Sequence, residues 1–277
     1  MKTALTGIPE TLLIPLWARA VENHHPEPIV RDEKASELLA QIDYEFSKFE
    51  SAKLSQLGVS IRTKLLDDAV MDFLDRKEQA VVVNLGAGLD TRYERLGIHG
   101  FDWYELDLPE AIDLRRRFFI ERYGYRFLSK SVFDITWMDE IDDNRKAVLL
   151  IAEGLFMYFS EVEIRRLFKD LVRRFPRAEM LLEVMGPYLV GKSKRHDAIS
   201  KMDAAPEFKW GMKNSRDLEQ WHPDIEFVSE WCYFDYYKKR AGWAGRIARL
   251  PFIRPHVAPR IVHLRFKKNG SALFFKQ

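Results

Sequence analysis

"AVVVNLGAGLDTR", residues 80–92, decides the fold. The run Ala80–Gly86 is apolar and rich in β-branched residues, the composition of a strand buried on both faces. Gly86 and Gly88 follow at once, in the turn from strand to helix, where a backbone must approach something closely. The dinucleotide fingerprint G-x-G-x-x-G would need a third glycine. Here the pattern is Gly86-Ala87-Gly88-Leu89-Asp90-Thr91, with Thr91 in its place. Asp90 also puts a negative charge where a pyrophosphate would sit, which disfavours an anion and suits a zwitterionic or cationic ligand.

Outward from this turn, short apolar runs alternate with helical patterns. Further strands are expected at 101–109, 125–133, 147–159 (from its start), 178–186, 225–237 and 260–268. Pro109 can open a helix over "PEAIDLRRRFFIERYG", with Gly124 to stop it. Ser160 can cap "SEVEIRRLFKDLVRRF", whose Ile164, Leu167, Phe168 and Leu171 share one face. Such alternation predicts an α/β fold of βαβ units, with ligands bound beyond the carboxyl ends of the strands at the switch point. Residues 1–78 read as helices only, with Ile61, Leu65, Ala69 and Phe73 at helical spacing, and form a helical cap on a core over 79–277. An irregular stretch, 187–223, is a candidate lid or substrate wall between strands five and six, and the whole is read as a single domain.

Composition bounds the function. The 277 residues carry a net charge of +2, so nothing argues for a nucleic-acid partner. The clusters Arg115-Arg116-Arg117 and Lys238-Lys239-Arg240 read as solvated helix faces. Cys232 is alone, which excludes an internal disulfide, and no Cys/His spacing suggests a metal site. No segment reaches the roughly 20 apolar residues of a membrane span, and no secretory signal is legible; a cytoplasmic protein with no membrane partner is expected.

Three side chains complement the glycine turn. Asp107 ends the second strand, where a carboxylate can accept from both hydroxyls of a ribose; the alternative is an exposed strand-end acid. Glu153 follows five apolar residues at the end of the fourth strand and needs a partner, either a ligand ammonium or a nearby arginine. Arg62, beside Ile61 on the last cap helix, can clamp a carboxylate with two parallel hydrogen bonds, or pair at the surface with Asp67 or Asp68. A ligand with an adenosine, an amine, a carboxylate and no phosphate satisfies all three, and S-adenosylmethionine, with its product S-adenosylhomocysteine, fits that description.

In that order, "NLGAGLDTRYERL", "WYELDLPEAIDLRR" and "LLIAEGLFMYFSEVEIRRLF" resemble the leucine carboxyl methyltransferase superfamily, in particular its bacterial polyketide O-methyltransferase branch. The resemblance covers about residues 16–230. It implies a class I methyltransferase (Rossmann-like) fold with a seven-stranded sheet whose last strand is antiparallel. By position, Arg62 resembles the arginine on the methionine carboxylate, and Gly86, Ala87 and Gly88 the loop under the methionyl part. Asp107, with Leu108, resembles the ribose site, Asp134 and Ile135 the adenine-contacting position, and Glu153 the acid near the methionyl amine.

The methyl acceptor is expected to be a small molecule offering a carboxylate or a hydroxyl. A carboxylate needs positioning, for which Arg19 and Tyr158 are candidates, with Trp210 on the substrate wall. A hydroxyl needs a base, and the sequence does not choose among His24, His25, His196 and His222, so the catalytic residue is unassigned. Oligomeric state is unassigned as well. Two other readings compete: a nicotinamide-dependent oxidoreductase, disfavoured by the missing glycine and the lack of a Tyr-x-x-x-Lys dyad, and a cofactor-binding but catalytically silent or regulatory protein.

Overall fold

The computed structural model describes residues 7–267. Residues 1–6 of the cap, and the C-terminal residues 268–277, which include the last position of the seventh expected strand, lie outside the described residues. All seven expected strands form, in one sheet: β1 (Ala80–Leu85), β2 (Asp102–Asp107), β3 (Tyr125–Ser129), β4 (Ala147–Ala152), β5 (Glu179–Val184), β6 (Ile225–Cys232) and β7 (Arg260–Phe266). Their order is β3-β2-β1-β4-β5-β7-β6. β1 to β5 run parallel, and β7 is antiparallel to both β5 and β6. The order reverses between β1 and β4, the switch point at which open α/β sheets bind ligands.

Both faces of the sheet are covered. Val82, Leu149, Leu181 and Ile261 meet Ile61, Leu65 and Phe73 on one face. Val81, Val83, Leu150 and Met180 meet Ile164, Leu167, Phe168 and Leu171 on the other. The former set places the long helix α3 (Lys53–Asp75) against the sheet, behind α1 (Leu13–Glu22) and α2 (Glu33–Gln41). The latter set comes from α6 (Glu161–Arg174), whose start is fixed by a capping box: the Ser160 hydroxyl accepts from the Glu163 amide while the Glu163 carboxylate accepts from the Ser160 amide.

Two helices differ from the pattern in the sequence. The helix after β1, α4, has four residues only, Arg92–Arg95. Its small dipole offers no anion site, which is a stronger argument against a pyrophosphate than the missing glycine. The helix after β2, α5, spans Pro109–Arg115 and stops well short of Gly124. Its last residue, Arg115, turns its guanidinium inward onto Glu105, Tyr125 and the ring of Phe119. The solvated-face reading therefore fails for Arg115, which is fully buried, and holds for Arg116 and Arg117. After β6 come α7 (Lys238–Ala248) and α8 (Arg254–Val257). Residues 187–223 carry four short 3-10 turns and pack, through Ile199 and Phe208, on Trp17 of α1 and Met157. Among the described residues no helix is long and apolar enough to cross a membrane.

Candidate active site

Strand register builds the site. Leu85 is level with Leu106 on one side and Ala152 on the other, and Ala152 with Leu182. The next residue on each strand is therefore Gly86, Asp107, Glu153 or Glu183, a row of one glycine and three carboxylates across the carboxyl edge of the sheet. Above this row lies a cavity of about 460 Å³, lined also by α1, α3 and residues 185–208. Its size is that of a small-molecule site, roughly 300–1,000 Å³.

The glycine turn is held by backbone geometry and by two arginines. Gly86 and Gly88 have positive φ, 68° and 50°, and a β-carbon at either would collide with Leu155 or Leu12. Gly86 N and Ala87 N both donate to the Leu106 carbonyl. Arg115 donates to the carbonyls of Gly88 and Asp90 at 3.0 and 2.9 Å, and Arg19 to that of Leu89 at 3.0 Å. Asp107 accepts from Gly88 N through Oδ2 and from Leu108 N through Oδ1, each at 2.7 Å. Each oxygen keeps a second lone pair, and the residue lines the cavity. Burial raises the Asp107 carboxyl above its ordinary value, against the pull of the two amides. Glu105, two strand positions deeper, is pushed up to about 7 by burial, with Arg115 opposing and Asp90 reinforcing.

Arg62 and Glu153 meet each other. Arg62 Nε donates to Glu153 at 2.7 Å and its Nη1 to Glu183 at 2.8 Å, while Nη2 has no hydrogen-bond partner among the described residues. Glu153 receives Arg92 on its other oxygen at 2.7 Å. Arg92 continues to Asp67 at 2.8 Å and Asp90 at 2.5 Å. Glu183 also accepts from Gly154 N and from the Tyr233 hydroxyl. Burial would raise the Glu153 and Asp90 carboxyls, but the arginines outweigh it and hold both below the ordinary range. The arginine pairing foreseen for Glu153 is thus present. The partners foreseen for Arg62, Asp67 and Asp68, are not: Asp67 belongs to Arg92 and Arg95, and Asp68 to Lys64.

Away from the sheet the cavity turns apolar, with Ile8, Met157, Met185, Leu189, Ile199 and Phe208. Polar side chains stand among them, including Thr11, Tyr158, Arg195, His196 and Asp197. Burial pushes the Tyr158 phenol up to about 12, so it is a donor at neutral pH. Burial lowers His196, which is neutral there. Its Nδ1 accepts from Ile199 N at 3.3 Å, which leaves the ring proton on Nε2. The neighbouring Asp197 caps α3 by accepting from Leu54 N, Ser55 N and the Ser55 hydroxyl, and so fastens residues 187–223 to the helix that carries Arg62.

The structure brings Arg62, Gly86, Ala87, Gly88, Asp107, Leu108, Glu153, Arg19 and Tyr158 to the cavity. It does not bring Trp210, which is buried against Trp221 behind the wall; Phe208, two residues earlier, points into the cavity instead. Nor does it bring Asp134 and Ile135, because Asp134 caps the 3-10 turn Ile135–Glu140 and both are exposed outside the cavity. Arg19 lies at the glycine turn, with Nε on Asp32, rather than at the apolar end. Of the four histidines only His196 lines the cavity; His25 and His222 engage backbone amides in local turns, and His24 is exposed. Sequence reasoning missed Arg92 and Glu183. Glu183 had a signal, since it stands next to last in the strand "EMLLEV", after the apolar run 180–182, much as Glu153 follows its own. Arg92 had none, in a run that reads as polar surface.

Comparison with known proteins agrees with this geometry. A family model described as leucine carboxyl methyltransferase matches residues 13–172. The chain is 35% identical over 232 residues to TcmP, the tetracenomycin polyketide synthesis O-methyltransferase of Streptomyces glaucescens, across 83% of this chain and 85% of that protein. It is 27% identical over 274 residues to dpfgK, an S-adenosyl-L-methionine-dependent methyltransferase of Gibberella zeae, across 90% of this chain and 91% of that one. The solved structure of a SAM-dependent methyltransferase from Anabaena variabilis superposes with a TM-score of 0.52 at 12% identity, across 81% of this chain and 96% of that chain, a likeness of fold.

Proposed function

From membership of the leucine carboxyl methyltransferase family, to which this chain belongs, we propose that the cavity binds S-adenosylmethionine at its charged end and a small methyl acceptor at its apolar end. The observation that carries this reading is the row Gly86, Asp107, Glu153, Glu183 at the switch point, with Arg62 above it. The donor set fits the cofactor. Asp107 offers one free lone pair on each oxygen to a ribose diol, Arg62 offers Nη2 to a carboxylate, and Glu153 and Glu183 offer carboxylate oxygens to an ammonium.

The local charge has the right sign. Arg19, Arg62, Arg92, Arg95 and Arg115 are outnumbered by Asp32, Asp67, Asp90, Glu105, Asp107, Glu153 and Glu183, an excess of one or two negative charges according to the proton on Glu105. That excess favours a sulfonium and an ammonium and opposes a dinucleotide. Family membership likewise displaces the oxidoreductase reading.

When bound, S-adenosylmethionine supplies an electrophilic methyl group and is left as S-adenosylhomocysteine. The chain supplies position. Holding two reactants in line can lower the barrier by roughly 7–11 kcal/mol. The apolar wall excludes water and fits an aromatic or aliphatic body; TcmP, the relative at 35% identity, is named for polyketide synthesis. Tyr158 and His196, both neutral donors, would hold an acceptor oxygen, with residues 187–223 as the acceptor wall. A cytoplasmic enzyme with no nucleic-acid partner completes the reading.

Thermal-shift titration tests the cofactor: S-adenosylmethionine and S-adenosylhomocysteine should stabilise the protein and NAD and NADP should not. No shift with S-adenosylhomocysteine would sink the proposal. Methyl transfer from labelled cofactor to a panel of aromatic acids and phenols then tests the acceptor. A carboxyl ester releases labelled methanol in base, whereas an aryl ether keeps its label.

A further inference from the structure

The basic run at 238–240 belongs to a surface that the cavity leaves unused. Helix α7 buries three of its small residues, Ala241, Gly245 and Ala248. Outward it turns Trp243, Arg246 and Ile247, followed by Leu250 and Phe252 beyond its end. Trp243 is 75% exposed, Leu250 50% and Phe252 90%. Positions 243, 246, 247 and 250 share one helical face. The segment is therefore amphipathic the wrong way round for a soluble protein: its large apolar side chains face solvent.

The charge is just as uneven. Residues 236–256 hold six Lys or Arg and no Asp or Glu, in a chain whose net charge is +2. Three of the six fasten the segment. Arg240 grips Glu22 through both nitrogens, Arg254 grips Asp235 in the same way at 3.0 and 2.7 Å, and Arg249 donates to the Phe234 carbonyl. The other three, Lys238, Lys239 and Arg246, are exposed and have no carboxylate partner among the described residues. A fixed patch with an aromatic at its centre, further apolar side chains and free cations around them is complementary to the headgroup region of an anionic bilayer.

We propose that α7 and the loop leading to α8 dock this protein on an anionic lipid surface. The chain lies on the membrane without spanning it, which revises the expectation of no membrane partner. Phe234, Val257 and Pro259, at the edges of the segment, line the cavity, so docking sets the cavity rim against lipid. On the proposed function, this favours an acceptor that partitions into membranes; the docking itself does not depend on that reading.

Vesicle flotation with the full chain tests the docking. Binding to phosphatidylcholine vesicles containing phosphatidylglycerol is expected, with little to phosphatidylcholine alone. A basic residue at such a surface contributes about 1 kcal/mol, so each of Lys238→Glu, Lys239→Glu and Arg246→Glu should weaken partitioning about fivefold or more, and the triple variant about a hundredfold. Trp243→Ser with Phe252→Ser should abolish flotation at moderate salt. All five positions are exposed, so the melting temperature and its shift with S-adenosylhomocysteine should be unchanged, which separates failure here from failure of the cofactor reading. No flotation by the wild type would overturn the proposal, as would equal binding to neutral vesicles. A dimer in analytical ultracentrifugation that Trp243→Ser disperses, without vesicle binding, would make the patch an interface between copies and also overturn it.

Discussion

Asp107→Ala is the sharpest perturbation of the cofactor end. In the wild type, Asp107 already binds two backbone amides at 2.7 Å, which fixes its carboxylate plane. Each ribose hydroxyl would add one hydrogen bond to a charged acceptor, about 1.5–3 kcal/mol. Losing both costs about 3–6 kcal/mol, a rise in the S-adenosylhomocysteine Kd of about 10²- to 10⁴-fold. The fold should lose far less. Asp107 is half-buried, so water can replace it at the Gly88 and Leu108 amides, for about 1–2 kcal/mol. Isothermal titration gives the affinity, and urea denaturation of the ligand-free protein gives the stability. The sign with pH follows. Only the ionised carboxylate accepts from both hydroxyls, and burial raises its pKa, so wild-type affinity should begin to fall at a higher pH than an ordinary aspartate would dictate. Asp107→Asn should remove that dependence. A folded Asp107→Ala protein with unchanged affinity would refute the placement of the ribose.

Four more expectations follow from the same geometry. Arg92→Met strands Asp67, Asp90 and Glu153 in a buried site and should cost about 3–5 kcal/mol in urea denaturation or prevent folding, and Arg92→Lys should restore little because three carboxylates need a guanidinium fork. Ser160→Ala removes the cap of α6 and should cost about 1 kcal/mol, with S-adenosylhomocysteine affinity unaltered. Glu179 is held down to about 2 by its bond from His263 at 2.8 Å, against burial, with help from Arg76 and Lys77; its stabilisation, about 2 kcal/mol after screening, should be complete above pH 4.5 and fade as pH falls toward 2, a slope that Glu179→Gln flattens. His196→Ala should lower kcat/KM for the acceptor at least tenfold while leaving the Kd for S-adenosylhomocysteine within about twofold; a large loss of cofactor affinity instead would place His196 at the wrong end of the cavity.

The fold was legible because its signal is periodic and local. Short β-branched runs such as 80–85, bounded by a glycine turn, read as strands buried on both faces, and Ser160 before an apolar face reads as a helix start. Strand-end acids were legible for a similar reason: Asp107 and Glu153 stand where an apolar run stops at the ligand edge. What stayed hidden depends on register and on loop paths. Nothing in "DTRYER" says that Arg92 will be swallowed by three acids, because those lie 25, 2 and 61 residues away in sequence. Arg115 sat in a triplet whose two later members are exposed, and its inward turn rests on Glu105 and Tyr125 on neighbouring strands. Phe208 rather than Trp210 reaches the cavity because an irregular segment has no period from which its facing can be read. The two exposed residues Asp134 and Ile135 rested on position within a motif, and that carries no information about which way a capped turn faces.

For Glu153 the two readings, ligand ammonium and arginine partner, turn out to describe one arrangement. Each Glu153 oxygen already receives one arginine, and each has a lone pair to spare. An isolated carboxylate at this depth would take up a proton and lose its attraction for a cation. Arg62 and Arg92 prevent that by holding the carboxyl below its ordinary range. They also anchor it, since Arg62 is shared with Glu183 and Arg92 with Asp67 and Asp90. The cost is that the arginines cancel part of the field that a positive ligand would feel. The extra carboxylates, Glu183 and Asp107, return the balance to negative. A buried ion network of this kind adds little stability over an apolar core. Its retention beneath a cavity is better explained by what it preorganises: a negative floor of fixed geometry for the methionyl end of the cofactor.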